Sequence, residues 1–217
     1  MDNIKLLKRT LKYKAHRVKV YEDELLSPEG AKLYYDFVEN RNGSGVLLVD
    51  KDEKLLFVRQ YRNCIDDMDV EIPAGCAETQ DFDLDAAVSS DNSKLPENTR
   101  NSAGTRKKIY TKSDFENPNN PYYICAIREA QEETGYIPGN LIFVNYIIAA
   151  VGLFSERTAV YIGTDLQEGD MNRDDDEYID IIKLSLDEAL QWINEGKIND
   201  SKTIIAVMAY SLMKNNR

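Results

Sequence analysis

One helical segment set between two runs of strand-like segments constrains the fold more than any other feature of this chain. Tyr122 to Thr134 reads as a helix, closed by Gly135 with Pro138 just beyond. Before it, Lys14 to Tyr61 reads as strands. Arg17-Val18-Lys19-Val20-Tyr21 alternates polar and apolar, as does part of Lys32 to Glu39, and Asn42-Gly43 marks a turn. Val46 to Val49 and Leu55 to Val58 form a hairpin pattern, and Glu71 to Gly75 is a short strand ending at a Pro/Gly break. After the helix, Leu141 to Ala149, Thr158 to Ile162 and Tyr178 to Leu184 are strand-like. Leu186 to Ile193, stopped by Gly196, and Thr203 to Met213 are helical. This order predicts an α/β (α+β) fold, a layered sandwich of mixed sheet with an antiparallel strand segment at its N-terminus.

Residues 82–120 break the pattern. They hold six Asn, few large apolar residues and no sustained periodicity, so the expectation is a flexible insertion within one domain. The stretch carries six acidic and six basic residues, which leaves the whole formal charge of −11 on the rest of the 217-residue chain. Such a balance argues against a nucleic-acid or membrane partner, because both require a basic surface. It does not exclude a phosphate-bearing substrate when a cation stands between protein and phosphate. No signal-peptide pattern opens the chain, and Cys64, Cys76 and Cys125 have no metal-type spacing, so they read as reduced thiols of a cytoplasmic protein. The one histidine, His16, lies in a Lys/Arg-rich stretch, and chemistry is therefore expected to run on carboxylates.

The carboxylates stand out in Arg128-Glu129-Ala130-Gln131-Glu132-Glu133-Thr134-Gly135-Tyr136. Spacing i, i+3, i+4 puts Glu129, Glu132 and Glu133 on one helix face. Like charges so spaced weaken a helix by a few tenths of a kcal/mol per pair, and near a C-terminus they also oppose the macrodipole. Such a face is either simply solvated or holds a cation. Oxygen-only donors suit Mg²⁺ or Mn²⁺ rather than zinc.

With those residues in place the chain resembles the Nudix hydrolases, whose signature is G-x5-E-x7-R-E-U-x-E-E-x-G-U, U being a bulky apolar residue. Residues 128–136 match its second half, with Ala130 and Tyr136 in the U places. The first half starts at Gly75, with Asp81 where the first Glu is expected. Arg128 then arrives 39 residues late, so the box is split by an insertion, cut as 82–120 or as 89–127. Outside the box, Val58-Arg59-Gln60-Tyr61-Arg62, Glu71-Ile72-Pro73-Ala74-Gly75, Phe154-Ser155-Glu156-Arg157, Ser185-Leu186-Asp187-Glu188-Ala189 and Gly196 to Thr203 are similar to the ADP-ribose pyrophosphatase branch.

The resemblance implies a Nudix-type α/β/α sandwich over residues 45–217. It also implies an N-terminal strand segment, 1–44, that builds a homodimer and contributes to an adenosine pocket. It implies Mg²⁺, with Mn²⁺ as a substitute, held by Glu129, Glu132, Glu133 and the carbonyl of Ala74. A metal cluster of this kind neutralises pyrophosphate oxygens and acidifies a water. Arg128 would orient the loop by pairing with a carboxylate, its usual partner shortened here to Asp81 with Glu78 nearby. Among Asp170, Asp174, Asp175, Asp176, Glu177 and Asp180, the resemblance assigns the catalytic base to Glu177, with Asp176 second, while Glu132 completes the catalytic pair. Arg62, Glu71 and Glu156 are the expected substrate contacts, Arg62 as a bidentate phosphate clamp. The implied reaction is hydrolysis of ADP-ribose or a related nucleoside diphosphate sugar to a nucleoside monophosphate and a sugar phosphate. The alternative is a Nudix-fold module that binds such a compound without cleaving it and acts as a sensor. Val151-Gly152 stands where the branch has Pro-Gly, which bears on the choice of sugar.

Overall fold

The computed structural model describes residues 4–77, 111–171 and 179–215. Glu78, Asp81, Asp174, Asp175, Asp176, Glu177 and most of the expected insertion lie outside the described residues.

The mixed sheet is built on β4 (Gly43–Val49), a strand buried along its whole length. Antiparallel to it lie β5 (Leu55–Arg62), paired through Leu48–Leu56, and the short β7 (Ala74–Cys76). Parallel to it lies β9 (Thr158–Glu168), which pairs in turn with β8 (Tyr136–Ile147). β10 (Asp180–Leu184) and β6 (Asp67–Glu71) both flank β5. Because side chains alternate across a strand, β4 feeds two cores. Leu47 and Val49 join Phe57, Ile72 and Ile162 beneath α3 (Leu186–Asn194) and α4 (Ser201–Asn215). Val46 and Leu48 join Phe143 and Tyr161 beneath α1 (Lys112–Phe115) and α2 (Pro121–Thr134). The expected α/β/α sandwich is therefore the fold.

Before the sheet, β1 (Lys5–Lys14), β2 (Lys19–Leu26) and β3 (Lys32–Glu39) form a separate antiparallel sheet. It meets the main body at Val38, whose N–H donates to the Leu153 carbonyl (2.8 Å) and whose carbonyl accepts from Ser155 N–H (3.0 Å).

Among the boundaries that differ from the sequence expectation, four have a clear physical reason. β1 runs up to Lys14, over residues where periodicity was not legible, because its side chains are mostly exposed on both faces. The expected strand Glu71–Gly75 is instead the end of β6 and the start of β7 with Ile72-Pro73 between them. Proline has no N–H to extend a ladder, and the Pro73 carbonyl accepts from Val46 N–H (2.9 Å). β8 begins at Tyr136, before Pro138, since an edge strand tolerates a residue without an N–H. Residues 111–120, expected at the end of the loop, contain α1, and Phe115 is buried against Phe143 with ring centroids 4.5 Å apart.

Candidate active site

Helix α2 is delimited as its sequence specifies. The Asn120 side chain accepts from Tyr122 N–H (2.9 Å), Pro121 opens the first turn, and Gly135 closes the last with φ 74°. Its register points Glu129 and Glu133 inward, where both are buried. The two carboxylates dock on one turn of backbone. Ala74 N–H donates to Glu133 Oε2 (3.3 Å), and Glu129 lies so close to Gly75 that a Cβ there would stand 2.0 Å from its Oε1. The pairing of β7 with β4 holds that turn in place.

Glu132 faces outward from the pair and binds Arg128 Nη1 (2.7 Å). Arg128 Nη2 reaches Glu129 Oε1 (2.8 Å) and the Cys76 carbonyl (3.0 Å), so this arginine orients the turn through backbone as well as charge. Ala74, Glu129 and Glu133 thus converge on residues 73–76. As a donor set, two buried carboxylates, a third on the same helix and the adjoining backbone have the chemistry of a hard divalent cation site. In the arrangement described, Arg128 engages Glu129 and Glu132, and among the described residues no three Asp, Glu, His or Cys side chains stand at metal-ligand spacing.

Arg62 and Glu71 are brought together, but as partners of each other. Arg62 Nε donates to Glu71 Oε1 and Nη2 to Oε2 (2.9 Å), and Lys202 Nζ also reaches Oε2. Burial would push the Glu71 carboxyl up, but Arg62 and Lys202 outweigh it and hold it below its ordinary range. Glu133 contributes to the negative field at the Arg62 guanidinium, which ties this network to α2. Glu156 stands apart from that pair, accepting from Asn40 Nδ2 (2.5 Å). Its charge and that of Glu129 both bear on the Cys76 thiol. The thiol lies above its usual range through desolvation first, despite a solvent-exposed edge, and then through Glu156.

Glu177 and Asp176 are outside the described residues. What is described is the foot of their loop, where the Asp170 carbonyl accepts from Gln131 Nε2 of α2 (3.2 Å). Two clefts, of about 300 and 540 Å³, lie elsewhere, one beside Trp192 and Asp69 and one beneath Tyr136 and Tyr210.

Sequence reasoning left Lys202 without a role. Its signal was its place in the Gly196–Thr203 stretch, two residues after Asp200, which caps α4 by accepting from Thr203 N–H (2.9 Å). Asn40 gave no signal, because only tertiary structure brings it to Glu156.

No family model matches the chain. It is 29% identical over 199 residues to the methanol dehydrogenase activator of Bacillus methanolicus, spanning 91% of this chain and 86% of that one. It is 23% identical over 197 residues to ADP-ribose pyrophosphatase of Bacillus subtilis (strain 168), spanning 90% and 85%. GDP-mannose pyrophosphatase of Pectobacterium atrosepticum matches at 33% over 84 residues, 37% of this chain and 44% of that one. The crystal structure of an ADP compounds hydrolase shares the fold, with a TM-score of 0.70 over 100% of this chain and 96% of that one at 14% identity.

A glycine-turned carboxylate helix docked on a Pro-Ala-Gly turn within this sandwich defines the class. The chain has the fold of the Nudix hydrolases and resembles them in these features. Among them the resemblance is to the ADP-ribose pyrophosphatase-like branch.

Proposed function

We propose that the chain hydrolyses the pyrophosphate bond of ADP-ribose or a related nucleoside diphosphate sugar, releasing a nucleoside monophosphate and a sugar phosphate. The observation that carries this reading is the docking of Glu129 and Glu133 on the Ala74-Gly75 turn. Burying two carboxylates side by side costs several kcal/mol unless positive charge meets them. Glu129, Glu132, Glu133 and the Ala74 carbonyl are the groups that would hold Mg²⁺, or Mn²⁺ in its place. When bound, the cation would neutralise pyrophosphate oxygens and lower the pKa of water. Arg62 would then hold a phosphate oxygen, Glu156 with Asn40 would bind a hydroxyl of the substrate, and Glu177 would accept the proton of the attacking water. Glu71 serves substrate through Arg62, since both of its oxygens are engaged.

A homodimer formed through residues 1–44, which would also complete an adenosine pocket, belongs to the same reading. So does a cytoplasmic location, which suits three free cysteines. No helix among the described residues is long and apolar enough to cross a membrane.

The test is turnover of a panel of nucleoside diphosphate sugars with Mg²⁺, read as phosphate released through a coupled phosphatase. At least one compound should be cleaved, and Glu133→Gln should lower kcat by about 100-fold or more, the scale for loss of a group that acts mainly in the transition state. Equal activity of wild type and variant would remove the site from this helix. One observation favours a second reading. A relative spanning most of the chain is named an activator, which suits a module that binds a nucleotide sugar and acts on another protein. Binding without turnover at saturating Mg²⁺ would select it.

A further inference from the structure

Arg62 is held from behind. Its guanidinium has two edges, and the Nε/Nη2 edge is closed by Glu71. The Nη1 amino group has no hydrogen-bond partner among the described residues, and the side chain is 37% exposed. Glu71 is buried, with only 4% of its side chain exposed, so its geometry is fixed by what surrounds it. Part of what surrounds it is Lys202, which shares Oε2 with Arg62 Nη2 and is anchored on its other side by Asp200 Oδ1 (3.1 Å). Lys202 itself is only 17% exposed and reaches solvent too little to contact substrate. Its position is set by the first turn of α4. There Asp200 caps the helix, and Thr203 Oγ1 accepts from Ile72 N–H (2.9 Å), the residue beside Glu71. The N-terminus of α4 is therefore fastened to the strand that carries Glu71 at two adjacent points.

From this we infer that Lys202 is a positioning residue of the reaction. It fixes the Glu71 carboxylate so that Arg62 is gripped along one edge and presents Nη1 toward the substrate phosphate beside α2. The inference rests on the proposed pyrophosphohydrolase reading, and it adds a residue that never touches substrate. A guanidinium gripped on one edge keeps its remaining donors in a plane, which is how a fork selects phosphate geometry. Without Lys202, Glu71 has one cation in place of two and gains freedom to rotate. Arg62 then loses aim while keeping its charge.

That mechanism predicts a kinetic pattern distinct from loss of stability. Lys202→Met should raise KM for the cleaved nucleoside diphosphate sugar by about 10-fold and change kcat by less, because Nη1 binds the substrate in ground and transition states alike. Lys202→Arg, which restores a cation, should recover most of the loss. The deciding measurement is a double-mutant cycle. In an Arg62→Ala background, Lys202→Met should have no further effect on kcat/KM, since the residue through which it acts is gone. If the two losses multiply, Lys202 acts only on the fold and the inference is overturned. A thermal melt of each variant accompanies the cycle. If Lys202→Met does not fold, the same cycle run with Lys202→Gln, which also removes the cation, carries the same two outcomes. Failure here is separable from failure of the proposed function. A wild type that cleaves and binds none of the panel overturns both, whereas a cleaving wild type with multiplicative losses overturns this inference alone.

Discussion

Glycine at position 75 leaves room for a carboxylate, and the whole carboxylate of Glu129 fills it. A methyl group there would stand 2.0 Å from Glu129 Oε1 and 2.2 Å from its Cδ. Neither contact is tolerable, and neither the helix nor the β7–β4 pairing yields easily. Gly75→Ala is therefore expected to push Glu129 off the turn while the sandwich survives. Displacement by about 1 Å at a reacting centre costs on the order of 100-fold in rate. Measured as kcat/KM across a Mg²⁺ titration, the loss should be of that size and only partly recovered at high Mg²⁺, while the far-ultraviolet dichroism stays that of wild type. Much of this residue-level arrangement was legible in the sequence. The i, i+3, i+4 spacing singled out the three glutamates, of which Glu129 and Glu133 reach the turn while Glu132 turns outward to Arg128, and the terminating glycine dated the end of the helix. What spacing could not give was the contact between Gly75 and Glu129, or the grip of Glu71 on Arg62. Both depend on which backbone each carboxylate meets after folding, and local periodicity carries no information on that.

Among the elements, α1 shows how a short helix is held by a single side chain. Four residues cannot sustain a helix alone. Phe115 supplies the missing stability, stacked on Phe143 and tilted against Tyr122 and Tyr146, with its carbonyl accepting from the Tyr161 hydroxyl (3.0 Å). Phe115→Ala should cost about 3–5 kcal/mol in urea unfolding, the usual range for a buried phenylalanine. A result near zero would mean that α1 is not part of this core. The sequence hid α1 because one apolar residue among Asn, Ser and Asp produces no period, whereas α2, α3 and α4 each repeat an apolar stripe. The fastening of α4 makes a second prediction, in pH. Burial would depress Lys202, but Glu71 and Asp200 outweigh it and hold it above its ordinary 10.5, while Glu71 lies below its ordinary 4.5. The Lys202 contribution to stability is then complete below 10.5 and is lost as pH rises through its folded value. That of Glu71 is complete above 4.5 and is lost as pH falls through its folded value. The difference in Tm between wild type and Lys202→Met should hence be flat from about pH 5 to about pH 10 and shrink at either side. A difference that varies through neutral pH would assign it to other groups.

For the whole molecule the open question is what meets the N-terminal sheet. Residues directly opposite in an antiparallel pair share a face. The registers place Leu11, Tyr21 and Phe37 on one face, followed by Arg9, Asp23 and Tyr35, then Leu25 and Leu33. Leu11 is 48% exposed and Tyr35 56%, and beyond its own strands the sheet makes no more than marginal contact with any other described element. An uncovered apolar sheet face of this extent marks an interaction surface. Its only central charges, Arg9 and Asp23, neutralise each other at 2.7 Å. That neutrality matters because a chain with a formal charge of −11 repels its own copy. Two copies can meet only where the local surface is not acidic, and this face qualifies. The homodimer proposed through residues 1–44 should accordingly appear in sedimentation equilibrium at twice the chain mass. Added salt should strengthen it, since screening weakens the long-range repulsion and leaves an apolar contact intact. Leu11→Glu combined with Tyr35→Glu should yield a folded monomer. If the same segment completes the adenosine pocket, that monomer should show a raised KM with kcat largely retained, because the carboxylates of α2 lie on the other body of the fold. A double variant that remains dimeric would place the contact elsewhere. A monomer with unchanged KM would separate the dimer from the pocket.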